Sequence, residues 1–137
     1  MELDKEKISL LAAQYNLALV ILFGSHSREE STPMSDTDIA VLIDTNARDI
    51  SYKLELAMLL DFQKVVNNGE VDLVLLNKAT PFLKYQVAME GKLLFEKQND
   101  LYVEFMIKAM KEYEDVRHFE KYYNEILDEF LGQQNDK

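Results

Sequence analysis

Apolar residues along this chain fall into short unbroken runs separated by stretches of helical spacing. Leu17 to Phe23 is the clearest run. It predicts a strand buried on both faces. Asp36 to Ile43 predicts a second strand, opened by two aspartates and closed by Asp44-Thr45-Asn46. Val71 to Leu76 predicts a third, apolar except for Asp72. Lys92 to Phe95 predicts a short fourth strand at an edge.

Between these runs the period changes. Asp4 to Tyr15 predicts a helix with Asp4 as N-cap and a stripe of Ile8, Leu11, Ala12 and Tyr15, ended by Asn16. Ile50 to Val66 predicts a second, with Asp49 near its cap and Ile50, Leu54, Ala57, Met58 and Val65 on its apolar side. Asn67-Asn68-Gly69 is a stop and a turn. Thr80-Pro81 supplies N-cap and N1 of a third helix, running to about Glu90 and ended by Gly91.

From Asn99 to Leu131 there is neither glycine nor proline, and aromatic and aliphatic residues from Tyr102 to Phe130 recur at helical spacing. One helix of that span is about 48 Å long at 1.5 Å per residue. A compact chain of this size is roughly 37 Å across. The helix must therefore overhang, bend or break in two, and an overhanging aromatic stripe calls for a partner.

Composition narrows the function classes. A length of 137 residues with 47% apolar content suits one domain with one core. The expected division is a core over residues 1–97 and a helical extension of the same domain over 98–137. The formal net charge is −10. With no Lys/Arg cluster outside the mixed-charge C-terminal segment, that argues against a nucleic-acid substrate and for a small molecule or a basic protein partner. No cysteine is present, which excludes disulfides, thiolate zinc sites and thiol catalysis. No apolar run reaches membrane-spanning length and the N-terminus lacks a signal-peptide pattern, so the expected compartment is the cytoplasm.

The chemistry concentrates between the first two strands. Gly24 permits close backbone approach to a ligand. Ser25 can cap a short helical turn over residues 26–29, whose free N–H groups would form an anion site. Asp36 and Asp38, two apart on a strand, share a face. Carboxylates beside a phosphate site suit Mg2+, and two such ions can hold both oxygens of an in-line phosphoryl displacement.

Gly24-Ser25, ten residues, then Asp36-x-Asp38 resembles the signature of the DNA polymerase β-like nucleotidyltransferase superfamily. The short chain resembles its minimal (MNT) branch, with the core likeness over roughly Leu10 to Phe95. Family members often read Gly-Ser-x-Ala-Arg-Gly. Here Arg28 matches, while Ser27 and Glu29 replace the alanine and the glycine, and Glu29 adds negative charge beside the phosphate site.

The resemblance implies an α/β (α+β) fold: a small mixed sheet, helices packed against one face, and a C-terminal helical extension. It implies Asp36, Asp38 and Asp72 as catalytic residues and ligands of two Mg2+ ions, with Gly24, Ser25 and Arg28 binding the nucleotide, ATP. The leading expectation is transfer of AMP to a tyrosine of a HEPN-type toxin, making the protein an antitoxin. The alternatives are transfer to a small-molecule hydroxyl, or a non-catalytic antitoxin that occludes its partner. A homo- or hetero-oligomer formed through the last helix is also open.

Overall fold

A computed structural model describes residues 3–24, 36–66 and 70–135. Four strands, β1 (Leu17–Phe23), β2 (Thr37–Ile43), β3 (Val71–Leu75) and β4 (Lys92–Glu96), form one sheet in the order β3-β2-β1-β4. β1 pairs antiparallel with β2 and β4, and β2 pairs parallel with β3, so the sheet is mixed. β4 lies at an edge. Four helices accompany it: α1 (Lys5–Tyr15), α2 (Tyr52–Val65), α3 (Pro81–Glu90) and α4 (Leu101–Asn135).

The helices cover both faces of the sheet, which corrects the expectation of one covered face. Val20, Leu22, Ile39, Val41 and Ile43 pack with Ile8 and Leu11 of α1 and with Met58 and Phe62 of α2. Leu19, Ile21, Phe23 and Ala40 pack on the opposite side with Val87 and Leu83 of α3 and with Leu101, Tyr102 and Phe105 of α4. The cause lies in β1, where all seven residues are buried. A strand apolar on both faces needs a layer on each.

Local signals act as their chemistry dictates, with some shifts. The Asp4 carboxylate accepts from the amides of Glu6 and Lys7 at the start of α1. Asn16 ends that helix in the left-handed region at φ 54°. Thr80 Oγ1 accepts from the Leu83 amide, with Pro81 following it. The cap of α2 is Ser51 rather than Asp49, because Ala47–Asp49 forms a separate 3₁₀ turn and α2 opens only at Tyr52. Ala57 is exposed on α2, and Phe62 is fully buried in its place. Gly91 ends α3 at an ordinary φ of −77°. Its glycine is required instead by space: a Cβ would meet the Val87 carbonyl at 2.4 Å and Ile21 Cγ2 at 2.5 Å. The Asn67-Asn68-Gly69 turn lies outside the described residues.

α4 is a single unbroken helix of 35 residues, about 51 Å long at 1.5 Å per residue. Its first turns belong to the body. Ala109 is buried, Tyr113 stacks on Tyr85 with centroids 4.2 Å apart, and Lys84 pairs with Glu112. From Arg117 to Gly132 every residue is exposed. The helix therefore overhangs. No helix among the described residues is long and apolar enough to cross a membrane.

α1 and α2 are joined by a hydrogen bond from the Tyr15 hydroxyl to Asp61. Burial, then this acceptor and its charge, push the Tyr15 pKa from 10.0 up to about 12. The folded state therefore holds the phenolic proton more tightly than the unfolded state does. That contribution to stability is complete below about pH 10 and is lost as pH rises to about 12. Denaturant melts across this window should show a steeper loss for the wild type than for Tyr15→Phe; parallel slopes would remove Tyr15 as the cause.

Candidate functional site

Three strands bring the acidic residues to one end of the sheet. β1 finishes there at Phe23, and β2 and β3 begin there. Asp38 sits opposite Phe23 on β1 and opposite Asp72 on β3. Neighbouring strands lie about 4.7–4.9 Å apart, so the register alone makes Asp38 and Asp72 near neighbours. Alternation turns Asp38 and Asp72 to the α3/α4 side, the side of Ala40 and Val74. Asp38 is half-buried and Asp72 exposed.

Gly24 completes this arrangement. Its φ is +77°, a conformation that favours glycine. A Cβ at Gly24 would stand 2.1 Å from Asp38 Oδ2 and 3.0 Å from its Cγ. The Asp38 carboxylate thus occupies the space that any other residue would fill. The glycine permits both the turn and the position of the acid.

Asp36 precedes β2 by one residue and is exposed. The strand-alternation argument therefore holds for Asp38 but does not extend to Asp36. Ser25 and Arg28, together with His26 and Glu29, lie outside the described residues. The donor chemistry of the three acids, all carboxylate oxygen, suits a hard cation such as Mg2+. Among the described residues, however, no three His, Cys, Asp or Glu side chains converge closely enough to hold a metal ion. The ladder supplies adjacent acids on one face rather than a closed three-ligand cage.

Three positioning contacts were not singled out from sequence. Thr37, between the two aspartates, is fully buried, and its amide donates to the Glu70 carbonyl at 2.8 Å, which starts the β2–β3 ladder. Gln63 of α2 accepts from the Val71 amide through Oε1 at 2.8 Å. Tyr102 of α4 donates its hydroxyl to the Gly91 carbonyl at 3.1 Å, and burial pushes its pKa up. Gly91 leads into β4, whose Lys92 pairs with Leu22, so this tie lies at the same end of the sheet as Gly24. Each of these residues also fits an ordinary strand or amphipathic helix, and only the three-dimensional neighbours distinguish them.

The chain is similar to known proteins in sequence and in fold. The family model described as "Polymerase beta, Nucleotidyltransferase" matches residues 6–100. The chain is 33% identical over 121 residues to a protein of Shewanella oneidensis named protein adenylyltransferase MntA, covering 85% of this chain and 78% of that one. It superposes with a TM-score of 0.72 and 29% identity on a chain of a crystal structure described as the toxin–antitoxin with AMP-PNP, covering 94% of this chain and 99% of that one. It also superposes, with a TM-score of 0.64 and 28% identity, on a chain of the tri-AMPylated Shewanella oneidensis HEPN toxin in complex with MNT antitoxin, covering 93% and 95%.

Gly24→Ala tests the dependence of Asp38 on the missing Cβ. Left-handed strain together with displacement of the carboxylate should cost about 1–3 kcal/mol of stability. In an Asp38→Ala background the same change should cost less, since the collision is gone and only the φ strain remains. Equal costs in the two backgrounds, measured by denaturant titration, would show that Asp38 and Gly24 are not coupled.

Proposed function

This chain belongs to the polymerase β nucleotidyltransferase family, and from that membership we propose that it transfers AMP from ATP to a tyrosine hydroxyl of a HEPN-type toxin and thereby acts as the toxin's antitoxin. The observation that carries the reading is the pairing of Asp38 with Asp72 across β2 and β3, over a glycine that leaves room for the acid. The likeness to an adenylyltransferase and to an MNT chain complexed with an AMPylated toxin supports the choice of nucleotide and acceptor.

In this reading Asp36, Asp38 and Asp72 are the residues that would hold Mg2+, with Asp36 and Asp38 serving the triphosphate and Asp72 the acceptor. Bound there, the ions would neutralise phosphate charge and favour ionisation of the acceptor hydroxyl. Gly24 would let the distal phosphates approach the backbone, and Ser25 and Arg28 are the residues proposed to bind them. The tyrosine oxygen bonds to the α-phosphorus, and the bond from that phosphorus to the α,β-bridging oxygen breaks. Pyrophosphate leaves with the electron pair. Asp72 lies beside the incoming hydroxyl and helps draw off its proton. Positioning and electrostatics supply most of the acceleration. With ATP as substrate, the compartment proposed is the cytoplasm.

The overhang of α4 supports a protein acceptor. Phe119, Tyr123, Ile126 and Phe130 follow one another at spacings of four, three and four, a helical seam, and each is about half exposed or more. A helix carrying such a seam beyond its own domain is suited to a partner's groove. The net charge of −10 favours a basic one.

Incubation with the toxin, Mg2+ and ATP labelled at the α- or γ-position tests the reaction. Label from the α-position alone should reach the toxin; γ-label on the toxin would mean phosphoryl transfer and overturn the mechanism. Asp38→Asn should lose nucleotide binding and transfer together, whereas Asp72→Asn should keep much of the binding and lose transfer. Normal transfer by both would remove the assigned acids, and normal binding of an inactive protein would favour occlusion.

The docking role of α4 has its own test. A chain ended after His118 keeps Ala109 and the half-buried Tyr102, Phe105, Tyr113 and Val116 of α4, so its melting temperature should stay close to that of the full chain. Co-purification with the toxin should drop sharply. Full retention of the toxin would exclude the overhang from the interface.

A further inference from the structure

We propose that Gln63 is a positioning residue for the transfer reaction, acting on Asp72 through the backbone of β3. The inference rests on the proposed role of Asp72 and deepens it. β3 is an edge strand, with β2 on one side only. Its register with β2 pairs Thr37 with Val71 and Asp38 with Asp72. The Thr37 amide donates to the Glu70 carbonyl, so Glu70 faces β2. Backbone groups alternate along a strand, so the Val71 amide points outward, away from β2. An outward amide at the first residue of an edge strand is the place where pairing would fray.

Gln63 prevents this. It reaches from α2 and accepts the Val71 amide at 2.8 Å in a half-buried setting. The backbone is thus held from both sides where β3 begins, by Thr37 of β2 at Glu70 and by Gln63 of α2 at Val71. The next residue is Asp72. Its side chain is exposed and gains no rigidity from packing. Its position against Asp38 therefore depends on the backbone that carries it. Gln63 lies beneath the opposite face and takes no part in the chemistry itself.

Two substitutions separate the acceptor from the rest of the side chain. Gln63→Met keeps the length and loses the acceptor. Gln63→Glu loses the amide donor and keeps an oxygen at the acceptor position. In the protein without metal or nucleotide, exchange of the Val71 amide should quicken about threefold to tenfold in Gln63→Met and stay near wild type in Gln63→Glu. With toxin and Mg·ATP, Gln63→Met should lower kcat about tenfold to a hundredfold, while KM for ATP stays within about twofold because Asp36 and Asp38 carry the nucleotide. Gln63→Glu should recover most of the rate. Unchanged Val71 exchange in Gln63→Met, a Gln63→Glu as slow as Gln63→Met, or a rise in KM matching the loss of kcat would each overturn the proposal. Asp72→Asn is the control. If it transfers at the wild-type rate, the reading of Asp72 itself fails; if it is inactive while Gln63→Met keeps the wild-type kcat, only the role of Gln63 fails.

Discussion

The site depends on the register of β2 with its two neighbours. Asp38 can meet Asp72 only because β2 and β3 run parallel with those residues opposite each other. It can meet Gly24 only because β2 runs antiparallel to β1 with Asp38 opposite Phe23. A slip of one residue in either ladder would carry the carboxylate to the opposite face, among the apolar side chains of α1 and α2. The fold holds the register through burial on both sides. Ile39, Val41 and Ile43 lock one face and Ala40 the other, so a slipped strand would bury acids and expose aliphatics.

Placing two acids side by side opposes stability, since like charges repel. The strand positions limit the effect. Asp72 is exposed, and water screens it. Asp38 is less exposed, and its place above Gly24 is created by the absence of a side chain there. The chain thus places a left-handed glycine and an adjacent pair of acids at one end of the sheet. The other end carries conventional reinforcement. Lys97 bonds Asn16 at 2.7 Å and Asp44 at 3.0 Å, and the Asn77 side chain accepts from and donates to the backbone of Ile43, both at 2.9 Å. The end that carries the acids is tied by Thr37 to Glu70, by Gln63 to Val71 and by Tyr102 to Gly91.

Much of the fold was legible in the sequence. The bounds of β1 and the capping by Asp4 and by Thr80-Pro81 follow from short-range chemistry that the sequence displays directly. The polymerase β signature pointed to the family because its glycine and aspartates sit at fixed distances from two strands. The two-sided covering of the sheet was implicit in the all-apolar Leu17 to Phe23, yet the expectation of one helical face ignored that implication. The start of α2 was misread because Asp49 and Ser51 are both good caps, and the intervening 3₁₀ turn decides between them. Thr37, Gln63 and Tyr102 were illegible as site residues for a different reason. Each acts through a backbone group far away in sequence or on another element, and no periodicity records such a contact.

The central claim is that Asp38 and Asp72, brought together by the ladder above Gly24, form the floor on which ATP reacts. The most direct measurement is a crystal structure of this protein with Mg2+ and a non-hydrolysable ATP analogue. The account predicts the triphosphate at the Gly24 end of the sheet, with oxygens of Asp38 and Asp72 about 2.0–2.1 Å from bound Mg2+. A nucleotide bound elsewhere, or one bound at that end with neither carboxylate reaching a metal, would contradict it.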